Sequence, residues 1–145
     1  MHKYLFIAIL AAAALLLAGL LVWLRLRPKR RLKMVYFQTR WQTLQKLLPD
    51  KKQWPQALAA ADKLLDTALK KKHVRGRNPG ERLVKAQRLF TDNDGVWFGH
   101  KLHKKADADP GYKLKKREVQ QALIGLRQGL KDVGALPDAQ PKDAK

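Results

Sequence analysis

The sequence predicts an all-α protein in two parts: one N-terminal transmembrane helix, then a bundle of four or five helices. Three observations carry this. Tyr4 to Leu24 holds no charged residue, and a helix of that length covers roughly the ~30 Å of a bilayer's hydrocarbon core. Downstream, apolar residues recur at intervals of three and four, the period of an amphipathic helix, and no stretch alternates β-branched residues as a strand does. The chain has no cysteine among its 145 residues, so neither a disulfide framework nor a thiolate metal site holds it together. The divisions that follow are an anchor over 1–24, a basic juxtamembrane linker over 25–34, a bundle domain over 35–136 and a tail over 137–145.

The anchor has Tyr4 and Trp23 near its ends, where amphipathic rings favour the two interfaces. Ala14, Ala18 and Gly19 would let two such helices approach closely. The run is too long for a cleaved signal peptide and lacks an Ala-x-Ala exit. Arg25, Arg27, Lys29, Arg30, Arg31 and Lys33 follow it, against Lys3 alone on the other side. The positive-inside rule then places the domain in the cytoplasm and the short N-terminus outside, as a single-pass protein of the cell membrane. The same six residues form a membrane-surface basic cluster facing anionic head groups.

In the bundle, Phe37, Trp41, Leu44 and Leu48 share one face of a first helix that Pro49-Asp50 ends. Trp54-Pro55 opens the second, because proline is tolerated in a first turn. Leu58, Ala61, Leu65, Ala68 and Leu69 form its stripe, Ala57 and Leu64 widen it, and Lys70, Lys71 and Lys72 close it. After a basic loop, Asn78-Pro79-Gly80-Glu81 reads as cap, first turn and capping glutamate. Leu83, Ala86, Gln87 and Phe90 then share one face. Thr91-Asp92-Asn93-Asp94 supplies the next cap, and Val96, Trp97, His100 and Leu102 begin a helix that fails near Pro110-Gly111. Trp97 is expected in the core. The last helix runs from about Lys115 to Val133 on Val119, Ala122, Leu123, Leu126 and Leu130, and Gly134 stops it.

Little in the sequence carries reaction chemistry. His100 and His103 lie three apart, with Asp107 and Asp109 beyond, but a metal site needs further ligands and oriented partners. They read as polar residues on a partly buried helix. Asp92-Asn93-Asp94-Gly95 resembles part of a calcium loop yet lacks its closing glutamate, and reads as capping sequence. No phosphate loop, carboxylate pair or nucleophile triad is present, so neither a metal nor another cofactor is expected. The formal charge of +19, with no acidic residue before Asp50, points to anionic partners. Lys70, Lys71, Lys72, Arg75, Arg77, Lys104 and Lys105 offer contacts to lipid, to a protein partner or second copy of the chain, or to nucleic acid.

The stretch Ala61 to Leu136 carries ADKLLD, then GERL, then a tryptophan helix running into HKLHKKADA, then a long helix ending in KDVGAL. In this it resembles a group of small, uncharacterised bacterial helical proteins, often membrane-anchored, whose central Arg-Asn-x-x-x-His element is similar to the RNA-cleaving motif of HEPN bundles. The resemblance implies a HEPN-like fold. His103 stands where that motif has arginine, Lys104 where it has asparagine and Ala108 where it has histidine. The resemblance therefore implies a kept scaffold and a lost site. The expected function is a non-catalytic, membrane-anchored binding or scaffolding module at the cytoplasmic face. A membrane-tethered RNA-binding protein or ribonuclease of HEPN type is the alternative.

Overall fold

A computed structural model of the chain describes residues 1–26 and 32–138, and its described residues are helical with no strand. It divides into two compact units, Met1–Arg31 and Leu32–Lys145. The first contains α1, His2–Leu26, an apolar helix of 25 residues with a mean hydropathy of 2.9 in its most apolar window and no buried residue. It is roughly 37 Å long at the standard rise, long and apolar enough to cross a bilayer. It runs two residues further at each end than the uncharged stretch does. Arg27, Lys29, Arg30 and Arg31 lie outside the described residues, as does the tail from residue 139.

The second unit contains five α-helices: α2 Met34–Gln45, α3 Trp54–Lys71, α4 Pro79–Ala86, α5 Asn93–Ala108 and α6 Lys116–Asp132. Short 3₁₀ turns precede α3 and follow α4. The number matches the upper figure expected from the sequence. Helix α3 is central and touches each of the other four. Phe37, Trp41 and Leu44 of α2 pack on its apolar stripe, and Leu83, Ala86, Val96, Leu126 and Leu130 complete the same core.

Local chemistry explains where each helix starts and stops. Asn78 Oδ1 accepts from the Glu81 N–H at 2.9 Å, and Asp92 Oδ1 accepts from the Gly95 N–H at 3.0 Å, so both N-termini carry side-chain caps. At the end of α3 the Val74 N–H reaches back to the Leu69 carbonyl while His73 takes φ 60°. At the end of α6 Ala135 reaches Leu130 while Gly134 takes φ 80°. Both are Schellman-type closures, which need a left-handed residue and most often use glycine. The Trp54 Nε1–H donates to the Leu48 carbonyl at 2.8 Å, fastening the start of α3 to the turn after α2.

Three expectations need correction. Helix α2 ends at Gln45, and Leu48 sits half-buried in the following turn, its carbonyl taken by Trp54. Gln87 is exposed, because the chain tightens into a 3₁₀ turn there and rotates it off the face of Leu83 and Ala86. Trp97 is half-buried and lies edge-on to His100, ring centroids 5.7 Å apart. The innermost place on that turn belongs to Val96, which is fully buried.

Helices α5 and α6 make the most intimate pairing in the bundle, and glycine is the reason. A Cβ on Gly125 would run into the Gly95 carbonyl, and one on Gly99 would lie 2.9 Å from the Ala122 carbonyl oxygen. Backbone meets backbone here, so no side-chain rotation could relieve a methyl group. Gly125→Ala is expected to lower stability by ~3 kcal/mol or more, beyond the usual cost of overpacking. Gly80→Ala, whose Cβ would meet nothing closer than 3.4 Å, is expected to be neutral or slightly stabilising. Thermal melts of the two variants check this, and equal melting temperatures would contradict the close crossing.

Candidate functional site

Two aspartates one turn apart on the core side of α3 organise the polar interior. Asp62 is 5% exposed and Asp66 8% exposed, and an isolated buried carboxylate is too costly to leave unpaired. Asp66 is held by Arg82 from α4: Nε donates to Oδ1 at 2.5 Å and one Nη to Oδ2 at 3.0 Å. The other Nη donates to the Gly76 carbonyl at 2.6 Å, tying down the loop before α4. The forked geometry suits a planar guanidinium. Its hydrogen bonds to Asp66 hold the Arg82 pKa above its ordinary value.

Asp62 serves α5. Its Oδ2 accepts from His100 Nδ1 at 2.9 Å and from His103 Nδ1 at 2.7 Å. Burial pushes the carboxyl pKa up, and the hydrogen bonds and positive charge of the two imidazoles outweigh it, so Asp62 is held below its ordinary 3.8. An ionised carboxylate only accepts, so each Nδ1 carries a hydrogen directed at Asp62. His100 is buried, whereas the His103 side chain is 23% exposed. A carboxylate-oriented histidine is a part that proton-transfer sites use. Here Asp62 fastens two such rings into the seam between α3 and α5.

The positions singled out by sequence fall into separate places. His103 bonds Asp62, while Lys104 and Ala108, one helical turn apart, are exposed, so of the three positions of the resembled motif only His103 takes part in the buried cluster. Lys71 lies over the Tyr36 ring at 4.5 Å and Lys105 over the Tyr112 ring at 4.4 Å, as cation–π contacts. Lys70 is exposed and pairs with Asp66 at 3.5 Å. Arg75 and Arg77 are exposed in the loop before α4, and Lys72 is half-buried at the end of α3. Arg25 closes α1 and Lys33 sits at the N-cap of α2. Among the described residues no group of three or more histidine, aspartate or glutamate side chains is placed to hold a metal ion.

Asp62, Asp66 and Arg82 are the site residues that the sequence reading missed. Their signal was present: a pair of acids four apart, flanking an otherwise apolar stripe, in a chain poor in acids. The remaining acidic side chains mostly serve their own backbone. Asp50, Asp92 and Asp109 accept from N–H groups two or three residues on, and Glu81, Glu118 and Asp132 accept from Arg77, Lys115 and Thr91. Among the described residues, every lysine or arginine ion pair within 4 Å falls on Asp66. The cationic surface is thus left almost uncompensated.

Comparison with protein-family models, with curated proteins and with solved structures yields no match for this chain.

The Asp62 cluster gives stability a direction with pH. Because the folded pKa lies below 3.8, the contribution is complete above that value and is lost as pH falls through the depressed pKa. Asp62→Asn is expected to cost ~2 kcal/mol near neutral pH, the scale of a hydrogen bond to a charged group. It should also flatten the acid limb of a melting-temperature profile, and an unchanged acid limb would remove Asp62 from that role. For the other clamp, Arg82→Met should cost ~3–5 kcal/mol by stranding Asp66, and adding Asp66→Leu should restore most of it. Chemical denaturation of the single and double variants measures the difference.

Proposed function

We propose that this chain is a membrane-anchored binding or scaffolding module whose helical domain presents cationic surface to an anionic partner at the cytoplasmic face. The observation that carries the reading is the use of the acids. Caps, backbone bonds and the two α3 clamps engage most of them, while among the described residues the lysines and arginines other than Arg82 are at least partly exposed and only Lys70 forms an ion pair. A surface so arranged attracts anions at long range and is screened by salt. Helix α1 supplies the anchor, and the basic residues after it favour the cytoplasm for the domain. Each Lys or Arg close to an anionic leaflet adds about 1 kcal/mol of attraction.

Catalysis fits the arrangement less well. RNA cleavage through the 2′-hydroxyl needs a proton-exchanging group and a free cation to hold the phosphate as charge develops. Arg82, the buried arginine, gives its donors to Asp66 and the Gly76 carbonyl. Ala108 can exchange no proton, and Lys104, one turn on from His100, is an exposed point charge without the bidentate fork of an arginine. If the scaffold is HEPN-like, as the sequence resemblance implies, its site is lost in this chain.

Two measurements test the proposal. The purified chain, given labelled single-stranded RNA without divalent metal, is expected to leave it intact. Cleavage that His103→Ala abolishes would establish the ribonuclease reading instead. The chain lacks cysteine, so Asp138→Cys introduces a unique label at an exposed site. It should react with an impermeant maleimide only after cells are opened, and labelling of intact cells would reverse the topology.

A further inference from the structure

The first turn of α2 exposes three apolar side chains in a row. Met34 is 42% exposed, Val35 76% and Tyr36 38%. On the bundle domain, Val84, Leu89 and Ile124 are the other large apolar residues so exposed, and each stands alone in its own element. Scattered exposed apolar residues need no explanation, whereas a contiguous group flanked by charge marks a contact surface. The flanking charge is all of one sign. Arg40 lies over the Tyr36 ring at 5.3 Å and Lys71 over the same ring at 4.5 Å. Lys63 and Thr67 of α3 join Tyr36 and Arg40 around a shallow groove between the two helices. No acidic residue occurs in the chain before Asp50, so nothing in α2 offsets these cations.

We propose that this turn of α2, with Arg40, Lys63 and Lys71 beside it, is a bilayer-contacting surface that recognises the phosphate of anionic phospholipid head groups. Its chemistry matches the interface of a membrane. A tyrosine ring with its hydroxyl, beside short apolar chains, belongs at the level of the head groups, and cations around it meet phosphate. Chain length commits the surface to the bilayer that α1 enters. Seven residues separate Leu26 from Met34, and seven residues span at most ~25 Å. A protein or nucleic-acid partner would have to compete for a surface that the chain itself delivers to lipid at high effective concentration. The inference rests on the membrane reading and adds to it a second, charge-dependent contact made by the domain.

The test uses the full chain in lipid nanodiscs. Val35→Cys and Ile124→Cys each carry a single environment-sensitive fluorophore, the second as a reference at an exposed apolar site (68%) in the middle of α6. The discs contain phosphatidylcholine alone or mixed with phosphatidylglycerol, with a nitroxide quencher at head-group depth. In mixed discs the Val35 probe should be blue-shifted and quenched severalfold more than the Ile124 probe. Adding Arg40→Glu and Lys71→Glu, or moving to phosphatidylcholine alone, should remove most of that difference. Equal quenching at both sites would overturn the proposal. Quenching at Val35 that ignores both the lipid charge and the two substitutions would overturn it as well, because tethering alone would then explain the contact. A chain that fails to enter the discs overturns the membrane reading beneath it, an outcome told apart by co-elution of chain and disc.

Discussion

The constraint on which the bundle depends is the burial of two carboxylates on α3. An apolar stripe would seat four helices around α3 in many registers, since packing alone tolerates exchange among residues of similar size. Asp62 and Asp66 remove that freedom. Each must meet a donor on a particular neighbour, and the donors lie on different elements: Arg82 on α4, His100 and His103 on α5. One mispaired register would strand a charge in the core at a cost of several kcal/mol. The clamps therefore specify which way α4 and α5 dock, while the hydrophobic contacts supply the driving force for docking at all.

Once α5 is fastened to α3, the position of α6 follows from shape. Gly95 and Gly99 on α5 meet Gly125 and Ala122 on α6, so the helices approach until backbone touches backbone. That closeness permits Val96 to reach Leu65 and Leu130 in one continuous core. It also explains why α6 needs no buried charge of its own to be located. Polar clamps place α4 and α5, and small residues place α6.

This division explains what could be read from the chain beforehand. Period and caps are local properties, so the helices, the Asn78 cap, a cap within 91–94 and the Gly134 stop were legible, while which of those four residues caps α5 was not. So was α1, since an uncharged apolar run of that length forms a helix long enough to cross a bilayer. What was not legible were meetings across the sequence. His100 lies 38 residues from Asp62, and Arg82 lies 16 from Asp66. A reading of His100 and His103 by themselves saw two polar residues on a helix and looked for their partners at Asp107 and Asp109, which are close in sequence but exposed. Trp97 misled for a related reason. Size marks an aromatic for burial, yet the residue beside it on the turn took the interior, and Trp97 covers His100 from the rim.

The same scarcity of acids links interior and surface. A chain with 31 basic and 12 acidic residues has few carboxylates to distribute. With two engaged in internal clamps and most of the others in caps and backbone bonds, the surface cations among the described residues form few ion pairs. In an ordinary soluble domain such a surface repels itself and destabilises the compact state. The charge is most one-sided before Asp50, where no acid occurs, and α2 lies in that stretch. Folding and surface charge are then coupled: the carboxylates that cap helices and bond backbone form no ion pair with a lysine or arginine among the described residues.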